Sequence, residues 1–133
     1  MKLPELLSPA GNAACALAAF DAGADAVYAG LSKFNARDRG DNFTEELLRS
    51  TVDYAHKNGK KVYLTLNTLI KECELPELLE MLANVSDINP DGVLVQDLGV
   101  LRVAREYFPH LELHRTIPQH LQVHCGFRRG RRL

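Results

Sequence analysis

The sequence predicts an α/β protein with a parallel sheet, and two observations carry this prediction. Short apolar runs begin near residues 26, 62 and 93, so they recur about every thirty residues. The segments between them carry apolar residues at helical spacing. Strand, helix and strand at this spacing are typical of the right-handed crossovers that join parallel strands.

Each element has a local signal. Asn12 and Thr44 can cap helices, while Gly23 and Gly59 can end them in the left-handed conformation. Pro76 suits the first turn of a third helix. The predicted order is a strand over 3–7, a helix over 12–23, a strand over 26–29, a helix over 44–59, a strand over 62–66, a helix from 76 to 89, a strand over 92–96, a helix over 98–108 and a strand from 111 to 114.

Apolar stripes indicate which helix faces are buried. The second helix is predicted to bury Leu47, Leu48, Thr51, Val52 and Ala55. The third is predicted to bury Leu78, Leu79, Leu82 and Val85, and the fourth Val100, Leu101 and Ala104. His56 then falls on the solvent-exposed face of the second helix, and we expect it to be solvated.

The composition is that of an ordinary globular chain. Its 133 residues are 46% hydrophobic and 25% charged, which is enough for one core. We expect a cytoplasmic protein that does not enter the membrane, because there is no apolar run of about 18 residues and no secretory leader. Cys15, Cys73 and Cys125 are odd in number and widely spaced, so neither a disulfide framework nor a metal pair is predicted.

The net charge of -1 conceals an asymmetry. Residues 1–112 hold 17 acidic residues against 11 Lys and Arg, whereas residues 113–133 hold five Arg and no acid. The two parts therefore differ in charge as much as two unrelated sequences would.

Polar residues directly follow the apolar strands at five places. They are Ser8, the 34–39 loop with Asn35, Arg37 and Arg39, the pair Asn67-Thr68, the pair Gln96-Asp97, and His114. Parallel strands would bring them to one rim, which is the rim that carries active sites in (β/α)8 barrels of the TIM type. Such side chains suit a polar, planar or anionic ligand. Alternatively the loop arginines are merely solvated, Asn67 and Gln96 end strands, and Asp97 caps the next helix.

Five segments together resemble the amino-terminal barrel of the collagenase-like peptidase family, number U-thirty-two. They read PELLSPAG, GADAVYAGLSKFNAR, VYLTLNT, DGVLVQDLG and LELH, and they span residues 3–114. The resemblance is closest to the branch that hydroxylates ribosomal RNA. It implies an RNA base hydroxylation protein whose intact form holds an iron-sulfur cluster on cysteines downstream, with no cofactor in residues 1–133.

The resemblance assigns expected roles to the rim residues. Arg37 and Arg39 would contact phosphate or a planar base, and RNA would be the partner. Asn35, Asn67 and Gln96 would bind substrate, whereas His114 and Asp97 would be catalytic, with His114 as the acid or base. No metal ligand is predicted among these residues.

The resemblance stops after His114, where Arg115-Thr116-Ile117 replaces the expected Ala-Ser-Thr. We therefore expect a half barrel over 1–114 and a basic, disordered tail over 115–133, as a frameshift with early termination would produce. A metal site at His120, His124 and Cys125, or a phosphate-binding arm, is the less favoured interpretation.

Two other functions stay open. A protease would need a nucleophile and a base, for which Ser8 and His114 are the available residues. A small RNA-binding module would use the arginines of the loop and the tail.

An incomplete barrel has exposed edges. Five strands cannot close, so we expect self-association through the first and fifth strands and no turnover by this chain alone. We also expect the inward faces of six side chains to lose the wall that covers them: Val27, Val62, Leu64, Leu66, Val93 and Val95.

Overall fold

The protein forms one parallel sheet with helices between successive strands. The computed structural model describes residues 4–31, 43–66 and 70–115. In these ranges the elements are β1 (Leu7–Pro9), α1 (Ala13–Asp21), β2 (Ala26–Gly30), α2 (Glu45–Lys57), β3 (Lys61–Leu66), α3 (Leu75–Ile88), β4 (Gly92–Val95), α4 (Leu98–Tyr107) and β5 (Leu113–Arg115). A short 3-10 turn over Glu72–Glu74 leads into α3. The predicted α/β class is confirmed.

The sheet is open and strictly sequential. Its order is β1-β2-β3-β4-β5, and every neighbouring pair is parallel. Because crossovers of one hand place their helices on one face, a sequential order leaves the other face of the sheet without helices. We call that second face the concave face. The arrangement is consistent with an incomplete barrel.

The core lies between the sheet and the helices. Val27, Val62, Leu64 and Val93 have no exposed surface, and they cluster with helical residues such as Leu48, Val52, Leu78 and Leu82. The expectation that these strand residues lose their cover is therefore wrong. They alternate with the concave-face residues and point toward helices that the chain itself supplies. Leu66 and Val95, at 3% and 1% exposed, belong to the same layer.

The predicted helix ends are confirmed in detail. Asn12 Oδ1 accepts a hydrogen bond from Cys15 N at 2.8 Å, and Thr44 Oγ1 accepts one from Leu47 N at 3.2 Å. Gly23 follows α1 with φ of 103° and Gly59 follows α2 with φ of 68°, so both need the freedom that glycine has.

Three predicted core positions are wrong in part. Leu47 is 45% exposed, because the buried residues of α2 are Leu48, Thr51, Val52 and Ala55, which leaves Leu47 beside the stripe. Leu79 and Leu101 are half-buried, while Met81 and Ile88 complete the core face of α3. Among the described residues, no helix has the length and apolar character that crossing a bilayer requires.

Candidate functional site at the carboxyl rim and concave face

The carboxyl ends of the strands meet at one edge of the sheet. Gln96 and Asp97 directly follow β4 there, and Gln96 N donates to Leu66 O of β3 at 3.3 Å, which continues the ladder. Gln96 falls on the concave face by the alternation of side chains along a strand. Asn35, Arg37, Arg39 and Asn67 lie outside the described residues, and their predicted roles stay predictions.

The concave face carries half-buried polar and aromatic side chains. Gly30, Thr65, Leu94 and His114 are level across β2, β3, β4 and β5. One layer toward the amino ends of the strands, Pro9, Tyr28, Tyr63 and Gly92 are level across β1 to β4. Tyr28, Tyr63, Thr65, Leu94 and His114 are all half-buried. This face is therefore a surface with polar groups rather than a second apolar core.

His114 is the most distinctive residue of this face. Its ring lies perpendicular to that of Tyr63, at 86°, with the centroids 6.0 Å apart. Its Nε2 is buried and has no hydrogen-bond partner among the described residues. Glu112 Oε1 lies 3.3 Å from Nε2, which is close enough for an electrostatic contact, but the atoms are not aligned for a hydrogen bond.

Tyr63 is tied to the start of the chain by Glu5. The Tyr63 hydroxyl donates to Glu5 Oε1 at 3.2 Å, and Lys61 Nζ lies 3.2 Å from Glu5 Oε2. Burial, with the Glu5 carboxylate next, raises the pKa of the Tyr63 phenol. The hydrogen bond to Glu5 raises the pKa of Lys61. Tyr63 is thus held as a neutral phenol, and Lys61 as a cation.

Asp97 is occupied by the backbone. Its Oδ1 accepts from Gly99 N at 2.7 Å and from Val100 N at 3.2 Å, and its Oδ2 accepts from Ile70 N at 3.0 Å. Burial alone would raise the pKa of Asp97, but these three N–H groups outweigh it and lower the pKa. The geometry is that of the N-cap of α4, which is the alternative role that the sequence predicts for Asp97. Its catalytic role stays a prediction that this geometry does not favour.

Ser8 and His114 cannot act as a pair. β1 and β5 are the two edges of the sheet, four strand spacings or about 19 Å apart. Ser8 is level with Val27 of the helix-facing layer, whereas His114 is level with Leu94 of the concave face. The nucleophile and base considered for a protease are therefore separated.

The sequence interpretation missed Tyr28, Tyr63 and Gly92. The signal was present in the strand Val62-Tyr63-Leu64-Thr65-Leu66, where apolar residues alternate with polar ones. Period-two alternation marks a strand with one face in the core and one outside it. The sequence analysis instead predicts that the apolar set faces the inside of the barrel.

A cleft near this edge lies between α2 and α3, away from the concave face. It measures about 530 Å³ and contains four carboxylates, Glu45, Glu46, Glu77 and Glu80, over a floor that includes Leu31 and Phe43. Such a concentration of negative charge repels phosphate, so the cleft does not suit an anionic ligand.

Metal ligands are scarce in the part of the chain that the structure describes. No group of three or more His, Cys, Asp or Glu residues there could hold a metal ion. Cys15 and Cys73 are free and exposed, on α1 and in the turn before α3 respectively. The described residues therefore do not fit an iron-sulfur cluster.

Comparison with known proteins finds one family. A sequence model of Peptidase family U32 matches residues 11–121, so the match continues past His114. The chain is 45% identical over 106 residues to an uncharacterized protease of Methanocaldococcus jannaschii, covering 80% of this chain and 26% of that protein. No solved structure matches.

Other relatives are named for RNA hydroxylation. The tRNA hydroxylation protein P of Escherichia coli is 37% identical over 114 residues, covering 86% of this chain and 25% of the relative. The 23S rRNA 5-hydroxycytidine synthase of the same organism is 38% identical over 110 residues, covering 83% of this chain and 16% of the relative. The chain thus spans about a quarter or less of these relatives.

Proposed function

This chain belongs to Peptidase family U32, and we propose that it supplies part of the substrate site of an RNA base hydroxylation protein. The observation that carries the proposal is the likeness to proteins named for tRNA hydroxylation and 5-hydroxycytidine synthesis over more than four fifths of this chain. Because RNA of this kind is a cytoplasmic substrate, the proposal places the protein in the cytoplasm. The activity itself is proposed for a protein that contains the further length of those relatives.

The concave face supports this function chemically. It combines aromatic rings, which can stack on a base, with polar groups that can bond to a base edge. Tyr28, Tyr63 and His114 supply the rings, while Gln96 and Thr65 supply polar groups. In our proposal the base lies on this face, with Asn35 and Asn67 adding contacts from the rim. Arg37 and Arg39 hold phosphate, as guanidinium groups do well.

His114 is the proposed acid or base of the site. It lies on the face where a base would bind, and Tyr63 holds its ring. Asp97 contributes indirectly, because its carboxylate joins α4 to the backbone at Ile70 and so fixes the rim beside Gln96.

We expect an iron-sulfur cluster only in a protein whose additional length supplies further cysteines. It would supply the redox chemistry of hydroxylation, but the described residues offer no ligand set for it. Cys15 and Cys73 lie on separate elements and do not supply such a ligand set.

The activity is tested in a chimera. Residues 1–115 would replace the matching part of the Escherichia coli tRNA hydroxylation protein P, expressed in cells that lack the native protein. We expect the digested tRNA to contain a nucleoside heavier by one oxygen atom in mass spectrometry. His114→Ala should abolish the product, whereas His110→Ala, at a histidine in the turn before β5, should retain it. A folded chimera that gives no hydroxylated nucleoside would contradict the proposal.

Proteolysis is the second candidate function. Its support is the 45% identity to a relative named as an uncharacterized protease. The separation of Ser8 from His114 removes the pair considered from the sequence. Ser86 and His110 are in hydrogen-bond contact at the other end of the sheet, but His110 is exposed and the contact lies on the outside of the fold. Gelatin cleavage that survives in a chimera but is lost on Ser86→Ala would favour this candidate.

A simple RNA-binding module is the third candidate. The arginines of residues 115–133 would then bind phosphate, and affinity for a tRNA transcript must fall steeply as salt rises. Deletion of residues 125–133 without any change in affinity would exclude the tail from binding.

A further inference from the structure

The ring of His114 is packed against both Tyr63 and the backbone of Gly92. His114 is on β5 and Tyr63 on β3, yet their ring centroids are 6.0 Å apart. Between them runs β4, where Gly92 is level with Tyr63. The two rings therefore meet over a residue that has no side chain.

Gly92 is required here for space and not for backbone freedom. A Cβ atom at this position would lie 2.9 Å from Cδ1 of Tyr63 and 3.0 Å from both Cδ2 and Nε2 of His114. Contacts this short force one of the rings to move. Glycine weakens a strand interior, and at such positions another group often approaches the backbone closely. In this sheet the group that approaches is a pair of rings.

The two nitrogens of His114 are in different environments. The Cδ2–Nε2 edge of the ring lies over Gly92, and Nε2 is buried without a hydrogen bond. The side chain as a whole is still 28% exposed, and Nδ1 does not share the status of Nε2 as a buried atom without a hydrogen-bond partner. Glu112 Oε1, 3.3 Å from Nε2, favours a proton on that nitrogen. A neutral imidazole with a proton on Nε2 has its acceptor lone pair on Nδ1.

We propose that Gly92 and Tyr63 are positioning residues for His114. They hold its ring so that a protonated Nε2 lies against the sheet and Nδ1 is the atom that contacts a ligand. The ligand is a hydrogen-bond donor, such as the amino group of a nucleobase. Only this choice of ligand rests on the proposed function. Glu5 contributes indirectly, because its carboxylate accepts a hydrogen bond from the Tyr63 hydroxyl.

The seating is tested by nuclear magnetic resonance on the 133-residue chain with ¹⁵N-labelled histidine. Long-range proton-nitrogen spectra report which ring nitrogen carries the proton. We expect the proton of His114 on Nε2 and an upfield ring-current shift of its ring protons by Tyr63. A proton on Nδ1, or ring protons with the shifts of a solvated histidine, would overturn the proposal.

Variants separate positioning from general stability. Gly92→Ala should displace the ring, so its ring protons lose the ring-current shift from Tyr63 and take the shifts of a solvated histidine. Gly11→Ala is the matched control, because nothing lies within 4 Å of a Cβ at that position. Tyr63→Phe should keep the His114 spectrum, whereas Tyr63→Leu should lose the ring-current shift. These two variants test the position of the His114 ring even where Gly92→Ala fails to fold. An unchanged His114 spectrum in folded Tyr63→Leu would refute the role of Tyr63.

Cytidine is the probe for the ligand. Its addition should shift the Nδ1 signal of His114 and leave Nε2 nearly unchanged, and Gly92→Ala should remove that response. A shift confined to Nε2 would contradict the proposal. A correctly seated ring that does not respond to cytidine would count against the RNA-base substrate and not against the seating, so the two failures are distinguishable.

Discussion

Val62 and Asp91 exchange two hydrogen bonds at the amino ends of β3 and β4. The Val62 N–H donates to Oδ2 of Asp91 at 2.8 Å, and the Asp91 N–H donates to the Val62 carbonyl, also at 2.8 Å. His56 Nε2 lies 3.0 Å from the same carboxylate oxygen, so this residue is not simply solvated as predicted. Asp91 therefore acts as a side-chain extension of the ladder, with His56 as an outer partner.

Removal of the Asp91 carboxylate should destabilise the fold. Asp91→Ala leaves the N–H of the fully buried Val62 without its acceptor, which should lower the free energy of unfolding by about 1–3 kcal/mol. His56→Ala is the control, because the His56 side chain is 42% exposed, and it should cost at most about 1 kcal/mol. Urea unfolding measures both. Equal losses would show that the contact between His56 and Asp91, and not the hydrogen bond from Val62 N, matters.

Asp97 should behave as a structural residue. Asp97→Ala removes the cap of α4 and should lower the free energy of unfolding by about 0.5–2 kcal/mol. Asp97→Asn keeps an acceptor for Gly99 N but puts an amide opposite Ile70 N, so it isolates the bond between the two loops. We expect an intermediate loss by thermal unfolding. Full stability of Asp97→Ala would contradict the capping role.

The same carboxylate predicts a pH dependence. Its pKa in the folded state is below the ordinary value of 3.8, because three backbone N–H groups outweigh the effect of burial. A group with a lowered pKa stabilises the fold above its ordinary pKa and loses that contribution as the pH falls through its folded pKa. The stability gap between the native chain and Asp97→Asn should therefore shrink from about pH 7 to about pH 3. A gap that widens on acidification would have the wrong sign.

Adjacent leucines on α2 should differ sharply. Leu48 is fully buried in the core, whereas Leu47 is 45% exposed. Leu48→Ala should lower the free energy of unfolding by about 2–5 kcal/mol, since it leaves a cavity. Leu47→Ala should cost about 0.5 kcal/mol or less. Chemical unfolding of the two variants distinguishes this register from the predicted stripe, in which both would be costly.

We expect self-association through the open edges of the sheet. The main chain of Leu6 and Ala10 bonds to β2, so alternation points that of Leu7 and Pro9 outward. Pro9 already lacks an N–H, but Leu7 still offers a donor and an acceptor. Sedimentation should show species above 14.8 kDa that grow with concentration. Leu7→Pro should weaken them, whereas Leu17→Ala, at an exposed leucine on α1, should leave them unchanged. A monomer at every concentration would refute the expectation.

The sequence by itself determined the order of the elements and the ends of the helices, but the first strand, predicted over 3–7, runs over Leu7–Pro9. Asn12, Thr44 and Asp97 cap the helices that follow them, and Gly23 and Gly59 lie where the chain turns left-handed. These features depend on contacts within about one helical turn, so neighbouring residues suffice to predict them. The order of strands also followed, because units of strand and helix leave few ways to connect a parallel sheet.

The tertiary structure alone decided which side chains share a face and which meet. Ser8 and His114 both follow apolar runs, yet the sheet places them on opposite edges and faces. Tyr63 and His114 are far apart in sequence and meet only because Gly92 leaves room between them. A shift of one residue in register reverses the face of every side chain in a strand. Contacts between strands therefore depend on the whole sheet, and a local pattern does not specify them.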